Sequence, residues 1–233
     1  MDWTTLAEQL FGTGHGIAAD GDFLSGTAEF DGASIAVAGT TNHAAVGVEL
    51  ALQQARFVID VMNTAPGRPL LLLVDTRGQK LRRRDELLGI HRAMAHLGCC
   101  LDLARRRGHP VIGLVVDQAL SGGFITSGLM ADACYALAGA EIRVMGVPAM
   151  ARVTKLPEEL LESLSRTNPV FAPGVENYVA MGGVRAVWHD DPGACLRAAL
   201  ADRDTLDRRA AEGAERGGRR MADEVVRRVL DAD

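Results

Sequence analysis

Three observations predict an α/β fold with parallel strands joined by helical crossovers. Two short, wholly apolar runs, Leu70 to Val74 and Val111 to Val116, read as strands covered on both faces. Each leads into a glycine-bearing turn and then a segment with helical character, so that strand, turn and helix follow one another twice. The 233 residues include 26 glycines and only 4% aromatics, which disfavours an all-β sandwich built on large side chains.

The elements follow in order. Residues 1–22 contain Gly12-Thr13-Gly14-His15-Gly16, which looks superficially like a dinucleotide-binding loop. Such a loop needs a strand before it and a helix after it, and Asp20-Gly21-Asp22 interrupts any helix, so the stretch is expected to be flexible. Phe23 to Phe30 and Ser34 to Ala38 read as a hairpin turning at Asp31-Gly32. Val46 to Met62 places Val48, Leu52, Ala55, Val58, Ile59 and Met62 at helical spacing and stops before the breaker Pro66-Gly67-Arg68-Pro69. After the strand at Leu70 comes an expected turn, Asp75 to Gly78, then a helix from Arg84 to Arg107 closed by Gly108 in a left-handed cap. The strand at Val111 leads through Gln118 to Gly123 into an expected helix from Phe124 to Ala131, with a third strand at Ile142 to Met145. Pro157 to Leu164 reads as a helix, interrupted afterwards at Asn168-Pro169 and Ala172-Pro173-Gly174, and Val184 to Trp188 as a strand. Pro192 to Asp233 is expected to be a charged amphipathic helix broken at Gly217-Gly218.

Composition removes several functions. With 48% hydrophobic and 24% charged residues the chain is not intrinsically disordered. Its longest apolar runs fall far short of the ~18 residues that span a bilayer, so no membrane span is expected. A net charge of -5 leaves no general electrostatic reason to bind nucleic acid. The first residues lack the basic and apolar regions of a secretory signal, and four cysteines without Cys-x-x-Cys spacing suggest neither disulfides nor zinc, so a cytoplasmic chain without metal is expected. His91 and His96 have no companion at metal-ligand spacing.

Ligands in open α/β sheets bind beyond the carboxyl ends of the strands, which singles out Asp75-Thr76-Arg77-Gly78-Gln79 and Leu120-Ser121-Gly122-Gly123-Phe124. At the start of a helix the first N–H groups have no intrahelical partner and the dipole adds positive character, so Gly122 and Gly123 could hold an anion or a developing oxyanion. Glycines kept for tight packing alone are the other reading.

These stretches, with Val144-Met145-Gly146-Val147-Pro148, resemble the crotonase-like carboxyltransferases. Ala151-Arg152-Val153-Thr154-Lys155 and Pro169-Val170-Phe171-Ala172-Pro173-Gly174 are similar to the malonate decarboxylase gamma-subunit family within that group. The resemblance runs from about Gly39 to Trp188; one departure is Arg77, where related carboxyltransferases usually carry proline. It implies a crotonase-like (ClpP/crotonase) ββα spiral over 1–233, with the flexible stretch 1–22 and a helical extension at 192–233. It also implies an obligate hetero-oligomer with a beta subunit, sharing an active site that decarboxylates a malonyl thioester. That thioester is carried on the phosphopantetheine of an acyl carrier protein, and no cofactor is bound by this chain. On that resemblance Gly122 and Gly123 would donate N–H groups to the enolate oxygen while Gly78 and Gln79 line the opposite turn. Ser121, Phe124, Arg152 and Lys155 would contact substrate or carrier.

Three rivals share the fold. An acyl-CoA hydratase or isomerase needs a carboxylate to move a proton, yet no Asp or Glu follows Gly123 before Asp132. A serine protease would need a base for Ser121; Val144-Met145-Gly146-Val147 supplies none, and Ser121 is expected to cap the helix instead. The third is a non-catalytic scaffold subunit.

Overall fold

The computed structural model describes residues 1–165, 174–202, 206–218 and 221–232. The chain starts with α1 (Trp3–Phe11), β1 (Ala18–Asp20), β2 (Phe23–Phe30), β3 (Ala33–Thr40), β4 (Ala44–Val46) and α2 (Val48–Thr64). It continues with β5 (Leu70–Gln79), α3 (Arg83–Leu87), α4 (Ile90–Arg106), β6 (Val111–Leu120), α5 (Ser121–Ile125), a 3-10 turn (Gly128–Met130), β7 (Ala133–Leu137) and β8 (Glu141–Arg143). Then come α6 (Val147–Thr154), α7 (Glu158–Ser165), α8 (Glu176–Ala180), β9 (Ala186–Trp188), α9 (Pro192–Ala201), α10 (Arg209–Glu215) and α11 (Ala222–Leu230).

The sheet order is β1-β2-β3-β5-β6-β7-β9, with β4 paired to β5 and β8 to β6. The β1–β2–β3 part is antiparallel and the rest parallel. The hairpin turns where Asp31 and Gly32 both have positive φ, 50° and 76°, the backbone twist that suits a two-residue turn between twisted strands. Leu71 and Leu73 join the core under α1 and α9, while Leu70 and Leu72 join the core against α2 and α4. The strand is therefore covered on both faces, as its unbroken apolar run predicts.

Strands β5 and β6 are longer than their apolar runs. The register of β5 against β6 shifts between Val74 and Thr76; before the shift β5 pairs with β3 and β6, and beyond it Thr76 pairs with Ala119 of β6 while Thr76, Gly78 and Gln79 pair with β4. Likewise Gln118 to Leu120 of β6 pair with β8. Strand, second strand or strand half, and helix then recur: β3–β4–α2, β5 in two halves before α3 and α4, β6 in two halves before α5, and β7–β8–α6. This is the ββα spiral that the resemblance implies.

Several local expectations are corrected. Residues 3–11 are not a flexible lead but α1, capped by Asp2, whose carboxylate accepts the Thr4 and Thr5 N–H groups at 3.0 Å. Leu6, Ala7 and Leu10 bury its inner face, a burial that tertiary contact supplies and that local glycine-rich sequence conceals. Asp75 to Gly78 form no turn, because β4 extends the strand. Val46 ends β4 rather than opening α2, and the long helix breaks at Gly89, φ 75°, into α3 and α4. Gly108 takes φ 83°, as its capping role requires. The segment after Gly123 is one short helix and a 3-10 turn, and β7 has no counterpart in the expectation. Among the described residues from Pro192 onward the break at Gly217-Gly218 falls between α10 and α11 as expected, but the part before it is two helices, α9 and α10, not one. The expected interruption at residues 168–173 lies outside the described residues.

Candidate functional site

At the carboxyl ends of β5 and β6 the two glycine-bearing stretches meet in direct contact. Gly78, φ 98°, has no room for a side chain: a Cβ would lie 3.1 Å from Ser121 Cβ and 3.2 Å from the Leu120 carbonyl oxygen. A Cβ on Gly123 would lie 2.6 Å from Thr76 Oγ1 and 3.2 Å from Gly78 Cα. One on Gly122 would meet only flexible ends, Gln79 Oε1 at 3.1 Å and Met94 Cε at 3.2 Å. Thr76 ties the corner together. Its hydroxyl donates to the Ala44 carbonyl at 2.7 Å and accepts the Gly78 N–H at 3.0 Å.

This geometry sorts the expected site residues. Gly78, Gln79, Ser121, Gly122 and Gly123 are brought together, but Gly78 and Gln79 adjoin the second stretch instead of facing it across an opening. The Gly78 N–H is already used by Thr76 and is not a free donor. Gly123 is buried and packed tightly, whereas Gly122 is half-buried with the exposed Gln79 beside it. Both sit in the first turn of α5, where N–H groups have no i−4 partner within the helix. Ser121 is no side-chain cap: Leu120 holds the N-cap position, and Ser121 itself takes φ 52°. Phe124 does not face a substrate. It is 2% exposed, edge-on to Tyr178 at 6.1 Å, and anchors α5 in the core. Arg152 and Lys155 lie exposed at the end of α6, where neither side chain forms an ion pair or hydrogen bond among the described residues.

A second constellation, not anticipated, stands on the same strands. Asp75 and Asp117, with His43 from the β3–β4 connection, bring their donor atoms within 4.8 Å of one another. The His43 Nε2 lies 2.8 Å from Asp117 Oδ2 and 3.6 Å from Asp75 Oδ1, and the His43 N–H donates to Asp75 Oδ2 at 2.9 Å. The hydrogen bond to Asp117 raises the imidazole pKa above the ordinary histidine value. Burial raises that of Asp75. The three line a cavity of about 320 Å³ with Asp2, Trp3 and Thr41. Sequence spacing hides them, since 32 residues separate His43 from Asp75 and 74 separate it from Asp117. The available signal was their place: both aspartates follow a buried apolar run.

The family model described as malonate decarboxylase gamma subunit matches residues 41–233. A curated relative from Malonomonas rubra, the malonyl-S-ACP:biotin-protein carboxyltransferase MADD, is 33% identical over 175 residues, 68% of this chain. The chain spans 60% of that relative's length. In the crystal structure of a Pseudomonas malonate decarboxylase hetero-tetramer in complex with coenzyme A, a chain 29% identical superposes with a TM-score of 0.82, covering 98% of both chains. A chain of the Pseudomonas malonate decarboxylase MdcD-MdcE hetero-dimer, 30% identical, does so with a TM-score of 0.77, again over 98% of both. The crotonase-like architecture and these likenesses agree.

Proposed function

Because this chain belongs to the malonate decarboxylase gamma subunit family, we propose that it acts as the gamma subunit of such an enzyme, a carboxy-lyase, and completes an active site with a beta subunit. The substrate is a malonyl group held as a thioester on the phosphopantetheine of an acyl carrier protein. The bond from its carboxylate carbon to Cα breaks, CO2 leaves, and the electron pair moves into the thioester as an enolate. Protonation at Cα then yields the acetyl thioester. The chain's contribution is to hold the charge arriving on the thioester oxygen, and the first-turn N–H groups of Gly122 and Gly123 suit that task without a titrating side chain.

The observation that carries this reading is the half-buried Gly122 in the first turn of α5, where the nearest groups are the flexible ends of Gln79 and Met94 and the missing side chain leaves the backbone approachable. Large apolar side chains stay exposed on the segments leaving the same strand ends: Leu87 and Leu88 after β5, Ile125 after β6, and Val144 and Val153 after β8. A beta subunit seated there would cover them. Arg152 and Lys155, which form no ion pair among the described residues, are offered to the carrier or the anionic substrate. The reading carries with it a cytoplasmic location; among the described residues no helix is long and apolar enough to cross a membrane.

The test uses the complex of this chain with its beta subunit and an acylated carrier protein. Gly122→Val should leave assembly intact, since its neighbours are flexible, and slow decarboxylation by ~10²-fold or more, the scale seen when one oxyanion donor is lost. Unchanged turnover would leave only a scaffold role. Appreciable decarboxylation by the isolated chain would refute a shared site, and hydration of crotonyl-CoA would favour the hydratase.

A further inference from the structure

We propose that His43, Asp75 and Asp117 form a binding site for a divalent transition-metal cation of the zinc class, open to the cavity under α1. Zinc takes imidazole nitrogen and carboxylate oxygen at about 2.0–2.2 Å in tetrahedral geometry, so neighbouring donors stand about 3.3–3.5 Å apart. The observed separations from His43 Nε2, 2.8 Å to Asp117 Oδ2 and 3.6 Å to Asp75 Oδ1, bracket that edge. Small side-chain rotations would equalise them around an ion.

Asp75 supplies the strongest reason. Its side chain is 12% exposed, and its Oδ1 is buried without a hydrogen bond; beside it stands the His43 ring at 3.6 Å, an ion-pair partner only when protonated. A desolvated carboxylate oxygen without a donor is costly unless it is paired or coordinates a metal. The other oxygen accepts the His43 N–H and fixes the carboxylate's orientation, as outer-shell bonds do for metal ligands. Two carboxylates balance a dication, which on binding would displace the proton from the imidazole nitrogen. Calcium and magnesium prefer six or more oxygen ligands, whereas this set has three donors, one of them nitrogen. Three protein ligands leave the remaining position facing the cavity, the arrangement of an open rather than a closed zinc site.

The experiment is equilibrium dialysis of the chelator-stripped, full-length protein against Zn²⁺, with bound metal counted by mass spectrometry and Co²⁺ used in parallel for its visible absorption. One equivalent should be retained. His43→Ala and Asp117→Asn should each weaken retention by at least ~10-fold, since even outer-shell changes cost 10–100-fold, and should alter the cobalt bands. His91→Ala, on the exposed face of α4, should change neither. Asp117 is exposed, so its asparagine variant keeps the fold, and circular dichroism of the metal-free proteins verifies this. Failure of the wild type to hold stoichiometric zinc, or equal retention by wild type and His43→Ala, would overturn the assignment.

Discussion

The glycine corner and the His43 cluster grow from the same two strands yet solve opposite problems. Along β5 the side chains alternate: Val74 and Thr76 point toward α5, while Asp75 between them points to the cavity under α1. On one side, function needs side chains removed so that main-chain groups are reachable. On the other a histidine and two carboxylates, only one of them buried, gather at the wall of an open cavity. A single residue step along a strand separates the two because the strand's side-chain period is two.

This contrast can be broken or sharpened by substitution, the largest effect first. Phe124→Ala removes the fully buried wedge beneath α5 and should cost about 3–5 kcal/mol of stability, read by denaturant unfolding. If the two regions are independent, metal retention by the folded variant will match wild type. Gly122→Val should raise the decarboxylation barrier of the assembled complex by about 2.7–4 kcal/mol while the melting temperature stays close to wild type, as steady-state kinetics and calorimetry would reveal. Thr76→Val leaves the Ala44 carbonyl and the Gly78 N–H without their shared partner, at about 1–3 kcal/mol. Chemical denaturation should detect it, and turnover should fall too if Thr76 holds the corner in shape. The smallest change is Asp2→Ala, which strips the α1 cap for about 1 kcal/mol and lies on the cavity wall; a thermal melt measures it, and decarboxylation should be untouched.

Elements whose signals are local were legible. The Asp31-Gly32 turn, the Gly108 cap and the two apolar strand runs each announce themselves by residue type. The glycine stretches could be marked as the place to look because they follow those runs. The remaining elements depend on distant partners. The second halves of β5 and β6 look like turns until β4 and β8 pair with them, β7 is too short and mixed to stand out, and α1 looks like a loose lead until Leu6 and Leu10 meet the sheet. Serine prefers the helix cap, but at the exit from β6 Ser121 takes a positive φ.

From the sequence alone came the hairpin, the two buried strand runs, the family resemblance and the two stretches that carry glycine, because periodicity, turn chemistry and motif are written in neighbouring residues. Only the tertiary structure decided that Gly122 stays half-buried while Gly123 packs against Thr76, that Gly78 spends its amide on Thr76, and that His43, Asp75 and Asp117 meet at all. Those facts rest on the pairing of β4, β5 and β6 side by side, which brings together atoms that the chain separates by 32 to 74 residues.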